Sequence, residues 1–287
     1  MKKKRIFVTG SAGFIGFHLS KLLLTEGHEV HGYDGMTDYY DVNLKQDRHK
    51  LLENFSNFTN TVGMLEDHKL LYDDFKKFNP DVVIHLAAQA GVRYSLENPR
   101  AYIESNVVGT FNIMEAARKN NIKHLLMAST SSVYGANQNM PFDECDKADT
   151  QLTIYAATKK ANENMAHSYA YLHKLPTTMF RFFTVYGPWG RPDMALFKFT
   201  KQILNNDEID IYNNGEMYRD FTYVDDLVNG ITLLIDAIPE TGKSLCNTDS
   251  ISPVGPYRVV NIGNSKKIKL LDFIDAIESE LDIKAKR

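Results

Sequence analysis

Apolar and polar positions along the chain follow two periods. Short β-branched or apolar runs fall at 5–8, 29–33, 59–62, 82–86, 124–128 and 177–182 and predict strands. Between them, segments 14–25, 70–78, 101–119 and 155–172 repeat apolar residues at i, i+3 and i+4, which predicts covering helices. Strand and helix in alternation is the signature of βαβ units, so the expected class is α/β with a doubly wound parallel sheet. Beyond about residue 183 the pattern turns irregular, with loops at 187–192 and at Asn213-Asn214-Gly215, before helical period returns at 224–238 and 270–281. The expected organisation is a nucleotide-binding domain over 1–182, with the helix at 224–238 packing back on it. A smaller C-terminal substrate-binding lobe would come from 183–223 and 239–287.

Composition narrows the function classes. The chain has 287 residues, 43% hydrophobic and 24% charged, as an ordinary globular protein has, which argues against global disorder. A formal net charge of -3 offers no cationic excess to meet a phosphate backbone, so no nucleic-acid partner is expected. Lys2 to Arg5 lead straight into a short strand pattern rather than the apolar core of a leader peptide. No window approaches the length of unbroken apolar sequence that a membrane span needs, so no membrane partner is expected either. Cys145 and Cys246 form neither a metal-ligand nor a disulfide-rich pattern. No metal site and a reducing cytoplasm are the expectations.

The first chemical signal follows the first strand. Gly10, Gly13 and Gly16 make a Gly-x-x-Gly-x-x-Gly turn through Phe14 and Ile15 into a helix. Glycines there let backbone amides approach a pyrophosphate, and the helix start adds unpaired N–H donors and partial positive charge. Asp34 follows the second strand, where a carboxylate accepts ribose hydroxyls and repels a 2′-phosphate. The expected fold is therefore Rossmann-type and the expected cofactor NAD.

A second signal lies at 155–159. Tyr155 and Lys159 are four residues apart, on one face of a predicted helix. A free phenol, with a pKa of about 10, is a poor base near neutrality, and a nearby cation lowers that value by stabilising the phenolate. The strand at 124–128 runs into Ser129-Thr130-Ser131-Ser132, and ligands of open α/β sheets bind outside the carboxyl ends of strands. Those hydroxyls are read either as ligand contacts or as plain turn chemistry.

With these motifs the chain resembles the extended short-chain dehydrogenase/reductase family, in particular its nucleotide-sugar 4-epimerases and most closely the UDP-glucuronate 4-epimerases. The likeness extends through 38–41, 85–93, 181–194 and 218–226 and spans nearly the whole sequence. It implies Thr130 as the hydroxyl that bonds the reacting sugar oxygen, Tyr155 as base and Lys159 as the residue holding cofactor and phenolate. It further implies a structural role for Asn106, an NAD lining from Leu86, Ala87 and Ala88, and Phe182 and Phe183 beside nicotinamide and sugar. Buried aromatic core is the equal alternative for those two rings. Arg219 would bind the substrate diphosphate, its alternative being a surface pair with Asp220 or Asp225.

The implied reaction oxidises carbon 4 of a UDP-sugar to a transient ketone and reduces it from the opposite face, with no net oxidation. Related dehydratases carry an Asp-Glu pair after the threonine and decarboxylases a Glu, whereas this chain has Ser131 and Ser132 there. Elimination then lacks an evident proton carrier. Thr184 stands where epimerases of neutral sugars have asparagine, which fits a glucuronate substrate, and Arg93 and Arg191 are the candidate partners of its carboxylate. Tyr212 completes the expected substrate contacts. Two departures from the family stand out. Gly63-Met64-Leu65 replaces an adenine-binding aspartate, leaving Leu65 to serve by backbone and packing, and the chain stops at Arg287, so the lobe is expected to be incomplete at its C-terminal end. A 4-epimerase of neutral or N-acetylated UDP-hexoses and an inactive NAD-binding regulatory protein are the alternatives. The resemblance also implies a homodimer through the helices at 106–119 and 155–172, and a part in making polysaccharide precursors.

Overall fold

The structure is a computed structural model describing residues 2–287, with the side chain of Tyr212 outside the description. Eleven strands are formed by the described residues: β1 (Arg5–Thr9), β2 (Glu29–Asp34), β3 (Phe58–Val62), β4 (Val82–His85), β5 (His124–Thr130), β6 (Thr177–Phe182), β7 (Thr184–Tyr186), β8 (Tyr218–Arg219), β9 (Phe221–Tyr223), β10 (Tyr257–Ile262) and β11 (Ile268–Lys269). The first five α-helices are α1 (Phe14–Thr25), α2 (Val42–Glu53), α3 (His68–Phe78), α4 (Tyr94–Glu97) and α5 (Pro99–Tyr102). They are followed by α6 (Thr110–Lys119), α7 (Ile154–His173), α8 (Ala195–Leu204), α9 (Val224–Leu234) and α10 (Leu270–Leu281).

Seven strands form one parallel sheet in the order β10-β6-β5-β4-β1-β2-β3. Strands covered on both faces read as continuous apolar runs, and β4 is buried along its whole length. Phe7, Val83, Leu125, Met127 and Met179 from the sheet pack with Leu71 and Phe75 of α3, Ile113 and Met114 of α6 and Ala166 and Ala170 of α7. The order reverses between β1 and β4, which places a crevice at the carboxyl ends of these two neighbours. Both the glycine turn and the loop after β4 begin there.

Contacts divide the chain into two compact units. One comprises Met1–Phe182 with Val228–Ile262, the other Phe183–Leu227 with Gly263–Arg287. This differs from the sequence expectation at 239–262, assigned there to the lobe. Segment 257–262 is instead the seventh strand of the large sheet, with Val259 opposite Met179. A strand that pairs with a partner far back in the sequence gives no local sign of which sheet it joins, because pairing is set by tertiary contact. The second unit has its own small core of Ile203, Ile209, Ile274 and Ile277, supported by Phe199 and Phe273. Its strands pair two by two, β7 with β9 and β8 with β11.

Helix 101–119 is also corrected. It is three pieces, with a π-helical turn at Ile103–Gly109 between α5 and α6. Wide turns of this kind are often found at functional positions. Among the described residues no helix is long and apolar enough to cross a membrane, and no cluster of three or more His, Cys, Asp or Glu side chains could hold a metal ion.

Candidate active site

In the first unit, β1 ends at Thr9 and the chain turns through Gly10, whose φ of +75° suits glycine. A Cβ at Gly10 would stand 2.8 Å from the Ala87 backbone nitrogen, and one at Gly16 would stand 2.0 Å from the Gly10 carbonyl oxygen. The turn is thus packed backbone to backbone against the loop after β4 and against α1. Gly13 caps α1 without any side-chain hydrogen bond, so the opening amides of the helix are not served by a capping side chain. Phe14 and Gly16 are buried and Ile15 is half-buried. Asp34, the last residue of β2, accepts the Ala12 N–H at 3.0 Å and the Met36 N–H at 2.9 Å.

Support for the turn comes from α2, a helix the hydrophobic pattern did not predict. Buried Arg48 donates to the Ala12 carbonyl at 2.9 Å, and His49 shares a 2.9 Å hydrogen bond with Ser11 Oγ. Burial lowers the His49 pKa, although Asp34 and Glu53 oppose it. The apolar period of α2 is weak because Arg48, His49 and Lys45 occupy the buried face usually given to aliphatic residues. A glycine turn with no room for side chains, a helix start without a side-chain cap and a carboxylate at the end of β2 together fit a dinucleotide.

The loop after β4 is held by two side chains. Thr9 Oγ1 accepts the Leu86 and Ala87 N–H groups at 3.2 and 3.1 Å. Asn106 accepts the Gln89 N–H at 2.8 Å and donates to the Gln89 carbonyl at 3.0 Å and to Thr158 Oγ1 at 3.1 Å. Asn106 is fully buried on the π-helical turn, and its bonds tie loop, turn and α7 together. Beneath them His85 bridges Thr9 Oγ1 at 2.7 Å and Thr110 Oγ1 at 2.9 Å. Burial, with the Lys159 charge adding to it, takes the His85 pKa down to about 3, so the ring is neutral. Leu86, Ala87 and Ala88 are half-buried around this loop. Leu65 lies with its side chain in the core, and its carbonyl accepts from Asn112 at 2.8 Å.

Helix α7 starts at Thr153, whose hydroxyl accepts the Ala156 N–H, and places Tyr155 in its first turn. Tyr155 is half-buried, its ring edge-on to Tyr102 at 5.9 Å. Lys159 is only 3% exposed. Burial brings its ammonium pKa down to about 8, and the charge of Glu163 resists the fall. Thr130 ends β5 beside Phe182 of β6, accepts the Ser132 N–H at 3.2 Å and donates to Ser132 Oγ at 3.3 Å. Ser131 and Ser132 are half-buried in the 3-10 turn that follows, against which α7 packs. Phe182 is half-buried and stacks on Phe180 at 5.0 Å. Arg93 is exposed at the start of α4.

The second unit carries the remaining predicted residues. Phe183 is half-buried, packed so closely on Gly263 that a Cβ there would stand 2.9 Å from its ring. The Thr184 N–H donates to the Asp220 carbonyl at 3.0 Å. Arg191 forms a two-pronged pair with Asp193, 3.0 Å from Nε to Oδ1 and 2.6 Å from Nη2 to Oδ2. Arg219 is exposed on β8, donating to the Tyr218 carbonyl at 3.1 Å, while the Asp220 carboxylate accepts the Asn264 and Ser265 N–H groups. Tyr212, whose side chain falls outside the description, has its backbone in a 3-10 turn at Tyr212–Gly215.

Residues 6–263 match the family described as the NAD dependent epimerase/dehydratase family. The chain belongs to that family. It is 54% identical over 277 residues to a protein of Rhizobium meliloti (strain 1021) named "Probable UDP-glucuronate 4-epimerase", covering 96% of this chain and 81% of that one. It is equally 54% identical to the protein CapI of Staphylococcus aureus over 285 residues, 99% of this chain and 85% of CapI. Among solved structures, the UDP-glucuronic acid 4-epimerase of Bacillus cereus in complex with UDP-glucuronic acid and NAD superposes with a TM-score of 0.86 at 32% identity. That superposition covers 98% of this chain and 84% of the Bacillus cereus chain.

Several buried residues around the candidate site were given no role by the sequence reading. Thr9, His85, Arg48 and Glu163 are buried polar groups whose partners come from distant segments. A polar residue inside an otherwise apolar strand, as at Thr9 and His85, was the one signal available for them.

Proposed function

We propose that this family member inverts carbon 4 of UDP-glucuronate to give UDP-galacturonate. The observation that carries the reading is the α7 pair, a buried Lys159 one turn from Tyr155, in a chain 54% identical over 96% of its length to a probable UDP-glucuronate 4-epimerase. NAD would be held by Gly10, Gly13, Phe14, Ile15, Gly16 and Asp34 at the turn, by Leu65, Leu86, Ala87 and Ala88, and by Lys159 and Phe182. Bound there, NAD supplies the two-electron oxidation of carbon 4 and its reversal.

The chain's own residues move the proton. Tyr155, one turn from the Lys159 ammonium, takes the proton from the sugar 4-hydroxyl and later returns it, while Thr130 hydrogen-bonds the same oxygen. Asn106 holds the loop after β4 in place. Arg219 is assigned to the diphosphate and Phe183 and Thr184 to the sugar, with Ser131 and Ser132 providing hydroxyls instead of the carboxylate that elimination would need. Arg93 and Arg191 are the partners assigned to the substrate carboxylate, with Tyr212 as a further contact.

A neutral or N-acetylated UDP-hexose is the second reading, and one observation favours it. Asp193 already occupies Nε and Nη2 of Arg191, so a substrate carboxylate would have to share or displace that partner. Separate incubations with UDP-glucuronate, UDP-glucose and UDP-N-acetylglucosamine decide between them. Turnover of UDP-glucuronate supports the first reading, and turnover of the neutral sugars alone overturns it.

Two further assignments belong to the same proposal. The protein forms a homodimer through the π-helical turn, α6 and α7, whose exposed apolar side chains include Ile103, Val108, Phe111 and Leu172. It works in the cytoplasm, where two exposed free cysteines, Cys145 and Cys246, remain reduced, and its product enters polysaccharide synthesis. Light scattering on the purified protein tests the first of these, with a monomeric mass contradicting it.

A further inference from the structure

Glu163 lies on α7 one turn beyond Lys159 and two turns beyond Tyr155, and is 2% exposed. Its carboxylate accepts Ser129 Oγ at 2.6 Å, Arg181 Nε and Nη2 each at 2.9 Å, and Lys160 Nζ at 3.0 Å. Ser129 precedes Thr130 at the end of β5, Arg181 precedes Phe182 in β6, and the two are register partners. One carboxylate therefore joins the helix bearing Tyr155 and Lys159 to the two strand ends bearing Thr130 and Phe182. A buried ion pair is weak evidence of stabilisation, since a well-packed apolar pair holds a helix on a sheet as well or better. Its place next to the reacting groups asks for another role.

We propose that Glu163 is a positioning residue for the reaction, fixing α7 against β5 and β6 and supplying the buried negative charge that the Lys159 ammonium faces. This rests on the assignment of Tyr155 and Lys159 as the proton-transferring pair. Burial drives the Lys159 pKa down to about 8, and Glu163 is the charge that resists it. Burial would raise Glu163 itself, but Arg181, Lys160 and Ser129 outweigh burial and hold its pKa below the usual value, so the charge is present wherever the protein works. The other titratable groups around the pair are His85 of β4, kept neutral by burial and by Lys159, and Tyr257 of β10, kept protonated by burial and by Glu163. Arg181 from β6, lying over the Tyr134 ring, and Lys160 from α7 pair with Glu163 directly, and Glu144, Cys145, Asp146 and His167 line the same cavity as Glu163 and Arg181.

The test is the pH dependence of kcat for the NAD-loaded protein in four forms: wild type, Glu163→Gln, Glu163→Asp and the double variant Glu163→Gln with Arg181→Gln. Loss of the carboxylate destabilises the Lys159 cation, so Glu163→Gln moves the alkaline limb of kcat down by about one pH unit. At pH 8 the rate falls roughly 5-fold while KM stays within about 2-fold, as expected when an interaction specific to the transition state is lost. Glu163→Asp keeps the charge and brings the limb back to the wild-type position even where its melting temperature drops. The double variant removes both buried charges at once, so it remains informative where Glu163→Gln alone does not fold, and it shows the same downward shift. A limb that stays put in the Gln variants, or that moves equally in Glu163→Asp, overturns the proposal. Tyr155→Phe separates the two levels: retained turnover would refute the proton-transfer assignment itself, whereas an inactive Tyr155→Phe with an unmoved limb refutes only the part given to Glu163.

Discussion

The two units hold their candidate site residues in different ways. In the first, the cofactor turn and the loop after β4 are held by several contacts at once. The glycine turn is packed backbone to backbone, Asn106 makes three hydrogen bonds, and Glu163 accepts four. In the second, Arg219 is exposed on a two-residue strand and Arg191 is held by a neighbour two residues away. Under the roles proposed above, the contrast matches two kinds of work. Electron and proton transfer tolerate little misplacement and call for a rigid, dry setting. Recognition of a charged diphosphate tolerates a flexible, solvated cation whose partner arrives with the substrate. All nine histidines of the chain also lie in the first unit, so whatever acid sensitivity comes from buried histidine falls on one side of the comparison.

The largest effect is expected where the first unit's chemistry is removed without disturbing its packing. Tyr155→Phe keeps the ring against Tyr102, and kcat falls by about 10³-fold, within the range for loss of a positioned base, while the melting temperature barely moves. Steady-state rates together with a thermal scan check this. Gly16→Ala comes next. Its Cβ would meet the Gly10 carbonyl oxygen at 2.0 Å, so the turn must open, at a cost of roughly 1–3 kcal/mol in stability and with NAD affinity lost. Calorimetric titration with NAD reads it, and unchanged affinity would show that the turn is not the cofactor cradle.

Arg219→Ala tests the second unit. It should raise KM for the UDP-sugar roughly 10- to 100-fold, the worth of one charge-assisted contact, with kcat and melting temperature little altered. A large drop in stability instead would mean that this arginine is structural and that the contrast between the units is false.

The pH dependence of stability tests the first unit through its buried histidines. Burial lowers the His124 pKa to about 4 and the His85 pKa to about 3, both below the 6.5 of an exposed ring. The unfolded chain therefore binds more protons between those values. The stability due to neutral burial is complete above pH 6.5 and is lost as pH falls toward 4, by on the order of 3 kcal/mol for His124. Urea unfolding between pH 8 and pH 5 should show this decline, and a flat profile contradicts it.

How much of this was legible in the sequence follows the same division. The first six strands, the glycine turn and Asp34 were readable because a buried parallel strand followed by glycines and a helix leaves a local imprint. Tyr155 and Lys159 were readable as a spacing, and their meaning came from the strand end at Thr130. Helix α2 was not, because Arg48 and His49 put charge and polarity on its buried face. Strand β10 was not, because its partner β6 lies far back in the chain. Nor was the break at Ile103–Gly109, where the buried positions are Asn106 and Gly109 while Ile103 and Val108 are exposed, so the apolar residues do not mark the buried face. In the second unit, the pattern yielded the helix at 270–281 and the loops but none of the short strands, and the roles of Arg191 and Arg219 came by resemblance alone. The Arg191–Asp193 pair, which bears on the choice of substrate, required coordinates.

The central claim is that carbon 4 is oxidised and reduced within one enclosed cycle served by Tyr155 and Lys159. Its most direct test is conversion of UDP-glucuronate by the NAD-loaded protein in heavy water, followed by proton NMR of the sugar ring. The account predicts UDP-galacturonate whose carbon 4 carries no solvent deuterium, with no accumulation of NADH. Deuterium at carbon 4, or no conversion of UDP-glucuronate by protein that has bound NAD, would contradict it.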